Sequence, residues 1–171
     1  MAKYSIRKWF LGLFTAGVVV TGVGMNTNVL DHIKDFEGLE TSAYKDIVGV
    51  ITIGYGHTNR AGTVQFHMGD TWTEEYAEEV LAADLTKFWD AIDAQVTVDL
   101  TDCQLSVLTS WAYNVGTGAT GKSTLVRLLN QGHYDAVPAQ LMRWDKAGGK
   151  RVRGLTRRRA AEAKLWETDC E

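Results

Sequence analysis

The sequence predicts an α+β domain, mainly α, with one small sheet near its start. Three observations point there. Apolar residues recur at helical spacing over most of the chain after residue 28. One stretch, "YKDIVGVITIGYGHT" at 44–58, breaks that pattern with Val, Ile and Tyr set among glycines. No series of alternating strands and helices exists from which a parallel sheet could be built.

Each element follows in order. Val29, Ile33 and Phe36 fall on successive turns, so a helix runs to Glu37, with Asn26 or Asn28 as its cap and Gly38 as its stop. Residues 44–58 read as short strands joined by a tight turn. Thr73 caps a long amphipathic helix that carries Glu74 and Glu75 in its first turn. Leu105, Leu108, Trp111, Ala112 and Val115 mark the next helix over 102–115. "STLVRLLNQG" is a short helix ended by Gly132, and Tyr134–Trp144 and Thr156–Glu167 are helical as well. Trp111 and Trp166 sit at helical spacing and read as core.

The bulk numbers fit one domain. There are 171 residues, 45% hydrophobic and 23% charged, with a net charge of −3. That balance does not suggest a nucleic-acid partner. The charge is uneven, though: residues 143–164 hold nine Lys and Arg against Asp145 and Glu162. Such a face suits an anionic polymer, phosphate or lipid, or is simply a solvated helix face. The two cysteines, Cys103 and Cys170, lack metal-ligand spacing, so no metal site is expected. They could bond in an oxidising compartment.

The N-terminus differs in kind. Lys3, Arg7 and Lys8 precede residues 9–30, which carry no charge. A basic flank before an apolar run is the pattern of an export signal or an anchor. The run is long enough to span, but Gly12, Gly17, Gly22 and Gly24 and three threonines weaken it. A cleaved signal, a permanent anchor and an anchor able to leave the bilayer all remain open. The Gly and Thr content fits the last of these best.

"NVGTGATGKST" at 114–124 has the G-x-x-x-x-G-K-S spacing of a phosphate-binding loop, from Gly116 to Ser123. Such a loop follows a buried strand. Here a helical pattern precedes Gly116, and no strand ending in Asp follows. The expectation is therefore a turn between helices, with no nucleotide.

Two carboxylates and a hydroxyl stand at the joint of first helix and sheet: Glu37, Asp46 and Thr52, in the spacing E-x8-D-x5-T. Glycoside hydrolysis uses a carboxyl pair of this kind. On spacing alone the signal is weak, because surface Glu and Asp are common.

Set within "EGL…YKD…TIGYGHT", the spacing resembles the catalytic signature of the phage-type lysozymes, the muramidases of bacteriophage endolysins. "NVGTGATGKSTLVRLLNQG" and "RWDKAGGKRVRGLTRRRAAEAKLW" are similar to that family's later segments, in order, so the likeness covers about 28–168. The resemblance implies a lysozyme-like fold, with a small sheet lobe and a helical C-terminal lobe. It implies peptidoglycan as substrate and no metal or cofactor. It gives Glu37 as general acid, Asp46 as the second carboxylate and Thr52 as the residue that helps hold water. An inverting family sets its carboxyls roughly 6.5–9.5 Å apart. Glu37 is expected in an apolar or shielded setting that keeps its proton. Arg157 or Arg158 is the candidate for a nearby opposing charge.

Tyr113 and Asn114, with Thr58 and Thr124, are expected to meet sugar. His57 is expected to pair with Asp84 as structure rather than chemistry, and Cys103 with Cys170 as a structural bond. Residues 1–27 resemble a signal-anchor-release segment, leaving 28–171 as the catalytic domain. That implies the host secretion machinery and inner membrane as partners. The location would be the periplasmic face of that membrane, then the periplasm after release. A simple secreted lysozyme with a cleaved signal and a catalytically silent wall-binding protein are the rival readings.

Overall fold

The computed structural model of the protein describes residues 24–46, 48–60 and 62–168. The expected anchor over 1–27 falls almost wholly outside them, as does Cys170. Cys103 is disulfide-bonded.

Helix α1 (Thr27–Glu37) begins at Asn26, whose side chain accepts the N–H groups of Asn28 and Val29. The Asn26 N–H donates to Ser106 Oγ at 2.9 Å, so the chain is fixed to the helical core before α1 starts. Val29 and Ile33 are fully buried and seat α1. Gly38, at φ 73°, ends it directly after Glu37.

Strands β1 (Glu40–Lys45), β2 (Ile51–Gly54) and β3 (His57–Thr58) form an antiparallel sheet in the order β1-β2-β3. Tyr44 pairs with Thr52, and Thr52 with Thr58. The sheet starts earlier than the sequence pattern indicates, because β1 alternates no apolar residues: most of its side chains face solvent. Hydrogen bonding to β2, and a contact of its outer edge with residues 70–72, hold it in place.

Helix α2 (Glu74–Gln95) leads from the sheet into the helical lobe and starts at Thr73, whose hydroxyl accepts the Tyr76 N–H. Helix α3 (Asp102–Val115) is the core element. Its residues from Leu105 to Ala112 are all buried, as expected of a helix wrapped on every side. Trp111, fully buried, meets Trp144 edge to face at 5.2 Å. Truncating such a ring to Ala costs about 3–5 kcal/mol.

The glycine-rich stretch is what the helical pattern before it implies. Gly116 ends α3, the short α4 (Thr117–Thr120) follows, and Ser123 caps α5 (Thr124–Leu129) by accepting the Val126 N–H. The serine of the apparent phosphate loop is thus a helix cap.

The expected helix over Tyr134–Trp144 is broken. A 3-10 turn at Tyr134–Ala136 precedes α6 (Val137–Leu141), and a second at Met142–Trp144 follows it. The sequence reading also missed a hairpin, β4 (Lys146–Ala147) with β5 (Lys150–Arg151). Its two-residue turn uses Gly148 and Gly149, both at positive φ, which that turn requires. Helix α7 (Arg153–Thr168) returns across α3 and α6 and closes against α1.

Candidate active site

Glu37 is the last residue of α1 and opens into a cavity of ≈ 160 Å³. Gly56, Asp84, Phe88, Tyr113 and Asn114 complete its lining. A second, more open cavity of ≈ 560 Å³ continues from Phe88, Tyr113 and Asn114 toward Gly116 and Thr117. The two adjoin at Phe88, Tyr113 and Asn114 and make one groove that runs from Glu37 and Gly56 along α2 and the end of α3.

The Glu37 carboxylate does not sit in the apolar setting expected of it. Arg158 Nη1, from α7, donates to Glu37 Oε1 at 2.6 Å. The Arg158 side chain is almost wholly buried, while Glu37 keeps 19% of its side chain exposed toward the groove. The bond joins a buried guanidinium to a partly exposed carboxyl across two helices. Arg157, the other candidate, lies over the Phe36 ring at 6.0 Å instead.

Asp46 heads the loop between β1 and β2. Its Oδ1 accepts the N–H groups of Val48 at 2.9 Å and Val50 at 2.8 Å, which fixes the carboxyl orientation. Its Oδ2 makes no hydrogen bond among the described residues and is left for solvent. Thr52, buried in β2, donates to the Val50 carbonyl at 3.3 Å. Neither residue lines the two cavities. The Tyr44 hydroxyl pKa is pushed up by burial, then by the charges of Glu40, Asp46 and Glu37.

Tyr113 and Asn114 both line the groove, at the end of α3. The Tyr113 hydroxyl donates to the Tyr55 carbonyl at 2.8 Å. Burial, then the charges of Glu37 and Asp84, pushes that hydroxyl far above its ordinary range, so it remains a proton donor. Its ring packs edge to face with Phe88 at 5.1 Å, and both side chains line the groove. Asn114 is exposed, with its amide unbonded among the described residues. Thr58 lies in β3 and Thr124 in the first turn of α5, and neither lines the groove.

His57 is buried below the sheet. Its Nδ1 stands 2.6 Å from Asp84 Oδ2 and its Nε2 2.7 Å from the Val64 carbonyl. A carbonyl only accepts, so Nε2 carries a proton, and a second proton at Nδ1 suits the carboxylate. Burial works against that charge, but the hydrogen bonds to Asp84 and Val64 outweigh it and hold the His57 pKa above its ordinary 6.5. Asp84 Oδ1 in turn accepts from the Thr63 N–H and hydroxyl. Both His57 nitrogens are committed to the protein, which leaves none for chemistry.

Glu37 thus opens into the groove on the buried Arg158, and Asp46 stands on the adjoining hairpin outside the groove lining. The profile of the Phage lysozyme family matches residues 34–162, three quarters of the chain. The chain belongs to the phage lysozyme family. Membership makes it a glycoside hydrolase of the lysozyme type. The endolysin of Bacillus phage B103 is 41% identical over 141 residues, covering 81% of this chain and 52% of its own length. This chain thus spans about half of that relative. The SAR-endolysin of bacteriophage PS119 is 38% identical over 147 residues, 86% of this chain and 81% of that one. Among solved structures, the muramidase domain of SpmX from Asticaccaulis excentricus superposes with a TM-score of 0.76 at 31% identity. It covers 84% of this chain and 97% of that domain.

Sequence reasoning missed Gly56 and Phe88 in the groove wall, and the buried Glu162 behind Arg158. Glu162 could have been found: it lies three and four residues beyond Arg159 and Arg158, the spacing of helical ion pairs.

Proposed function

We propose that this chain is an endolysin that hydrolyses the β-1,4 bond between N-acetylmuramic acid and N-acetylglucosamine in peptidoglycan. The observation that carries the reading is the Glu37 carboxyl: at the helix end, open to the groove, held through one oxygen by Arg158. The Glu37 proton passes to the leaving glycosidic oxygen as the bond to C1 breaks. Water attacks C1 from the other face and gives its proton to Asp46, whose free Oδ2 is the base. Thr52 helps hold that water. Tyr113 and Asn114 contact sugar, the first by its ring and the second by its amide. Thr58 and Thr124, outside the groove lining, are left without support for such a role.

In this reading residues 1–27 are a signal-anchor-release segment and 28–171 the catalytic domain. The host secretion machinery delivers the chain to the inner membrane. It stays tethered and inactive until the segment leaves the bilayer, then acts in the periplasm and lyses the host. Two lines support this. The PS119 relative is named a SAR-endolysin. The uncharged, Gly- and Thr-rich run at 9–30 follows a basic flank. Among the described residues no helix is long and apolar enough to cross a membrane. The test is to express the full chain in a bacterial host, fractionate the cells before and after membrane depolarisation, and weigh the protein. Full-length mass, with movement from membrane to soluble fraction on depolarisation, is the expected result. A chain shortened at about Gly24 would instead make it a simple secreted lysozyme.

A further inference from the structure

The three nitrogens of the Arg158 guanidinium are held by three different helices. Nη1 meets Glu37 on α1, Nε meets Glu162 Oε1 on α7 at 3.4 Å, and Nη2 meets the Ser110 carbonyl on α3 at 3.5 Å. Glu162 is wholly buried, out of reach of any substrate. Its Oε1 also accepts from Ser110 Oγ at 2.9 Å and Arg159 Nη2 at 2.9 Å. Arg159 Nε stands 2.8 Å from Oε2, too poorly aligned there for a hydrogen bond. Burial works against the Arg159 charge, and Glu162 counters it. A buried ionic cluster of this kind is a poor way to gain stability, since apolar side chains of the same volume often do as well or better. Its placement behind the Arg that touches the reacting carboxyl suggests another use.

We propose that Glu162 is a positioning residue for the hydrolysis described above: by holding Arg158 from behind, it limits how strongly that guanidinium acts on Glu37. The proposal rests on Glu37 being the general acid. Glu162 is the carboxyl that Arg158 and Arg159 share behind Glu37. With Glu162 made neutral, two guanidinium groups face Glu37 alone and favour its ionised form. Other titratable groups bear on the cluster as well. His32 of α1 has Nε2 3.5 Å from Glu162 Oε1. Tyr113 of α3 and Asp84 of α2 line the groove beside Glu37. Tyr44 of β1 senses its charge. All of these stay in place in the variants below.

A general acid works only while protonated, so activity falls as pH rises through the acid's titration. Strengthening the pull of Arg158 moves that alkaline limb to lower pH. The experiment is the pH dependence of kcat and KM of the full chain on isolated peptidoglycan. Glu162→Gln, the same shape without the charge, is expected to shift the alkaline limb to lower pH, with KM within about twofold of wild type. Arg159→Gln removes a cation and frees Glu162 for Arg158, so the limb moves up. Glu162→Asp, which keeps the charge but draws it back from Arg158, moves it down by less and serves should Glu162→Gln not fold. A merely structural role scales the rate by the folded fraction and leaves the limb where it was. An unmoved limb in the folded variants overturns the proposal, as does a shift of the same sign for Glu162→Gln and Arg159→Gln. A wild type that releases no reducing ends at any pH overturns the muramidase reading, and the proposal with it.

Discussion

A Cβ placed on Gly56 would stand 3.3 Å from Glu37 Oε2. Arg158 holds the other oxygen, so Gly56 and Arg158 bracket the carboxyl between β-turn and helix. Gly56 also has φ +80°, where a side chain is strained. Gly56→Ala is therefore expected to cost about 1–2 kcal/mol of stability and to lower kcat by on the order of tenfold or more, because it displaces the acid. Chemical denaturation and rates on peptidoglycan check both parts. A variant with the stability loss and an unchanged kcat would mean that the position of Glu37 is not critical.

Asp46 has one oxygen in the loop and one outside it. Asn at this position keeps an acceptor for the Val48 and Val50 N–H groups and loses only the base. Asp46→Asn should keep a melting temperature close to wild type and lose about 100-fold or more in rate. Retained activity would reduce Asp46 to a turn residue.

The His57–Asp84 pair carries a pH dependence of stability. The folded-state pKa of His57 is raised above its ordinary 6.5. The pair's stabilisation is then fully present below about pH 6.5 and is lost as pH rises through the raised folded value. The melting temperature of wild type should exceed that of Asp84→Asn most below pH 6.5, and the gap should narrow at higher pH. Breaking a buried pair costs about 3–5 kcal/mol, so the difference is measurable by calorimetry. A gap that widens with pH would reverse the assigned protonation of His57.

Lys122 is exposed in the turn before Ser123, where a phosphate loop would need it. Lys122→Ala should change stability by no more than about 0.5 kcal/mol and leave the rate on peptidoglycan unchanged. Millimolar ATP with Mg²⁺ should leave the melting temperature where it is, since a ligand of the folded state would raise it. A clear rise would revive nucleotide binding at Gly116–Ser123.

What could be read from the sequence was what local chemistry decides. Asn26, one of two candidates, and Thr73 cap helices because a short polar side chain is needed to accept the first N–H groups, and that need is visible in the sequence. The span of α3 follows from its apolar spacing. Strand β1 was cut short because its exposed side chains leave no alternation to see. The β4–β5 hairpin has only its Gly-Gly turn as a signal. Trp144 read as the end of one helix, yet a 3-10 turn carries it onto Trp111, a contact no local pattern encodes. The position of Glu37 at the helix joint was legible. Its partner lies 121 residues away in sequence, and choosing Arg158 over Arg157 depends on which face of α7 meets α1. Glu162 was legible as a helical neighbour of Arg158 but not as a group behind the acid.

Protonation of a glycosidic bond of peptidoglycan by Glu37 is read from new reducing ends when the full chain is incubated with isolated peptidoglycan, beside Glu37→Gln at matched folded concentration. Steady release by wild type and a loss of at least about 100-fold in the variant are expected. Equal release by both, or none by wild type across several wall types, would contradict that role of Glu37.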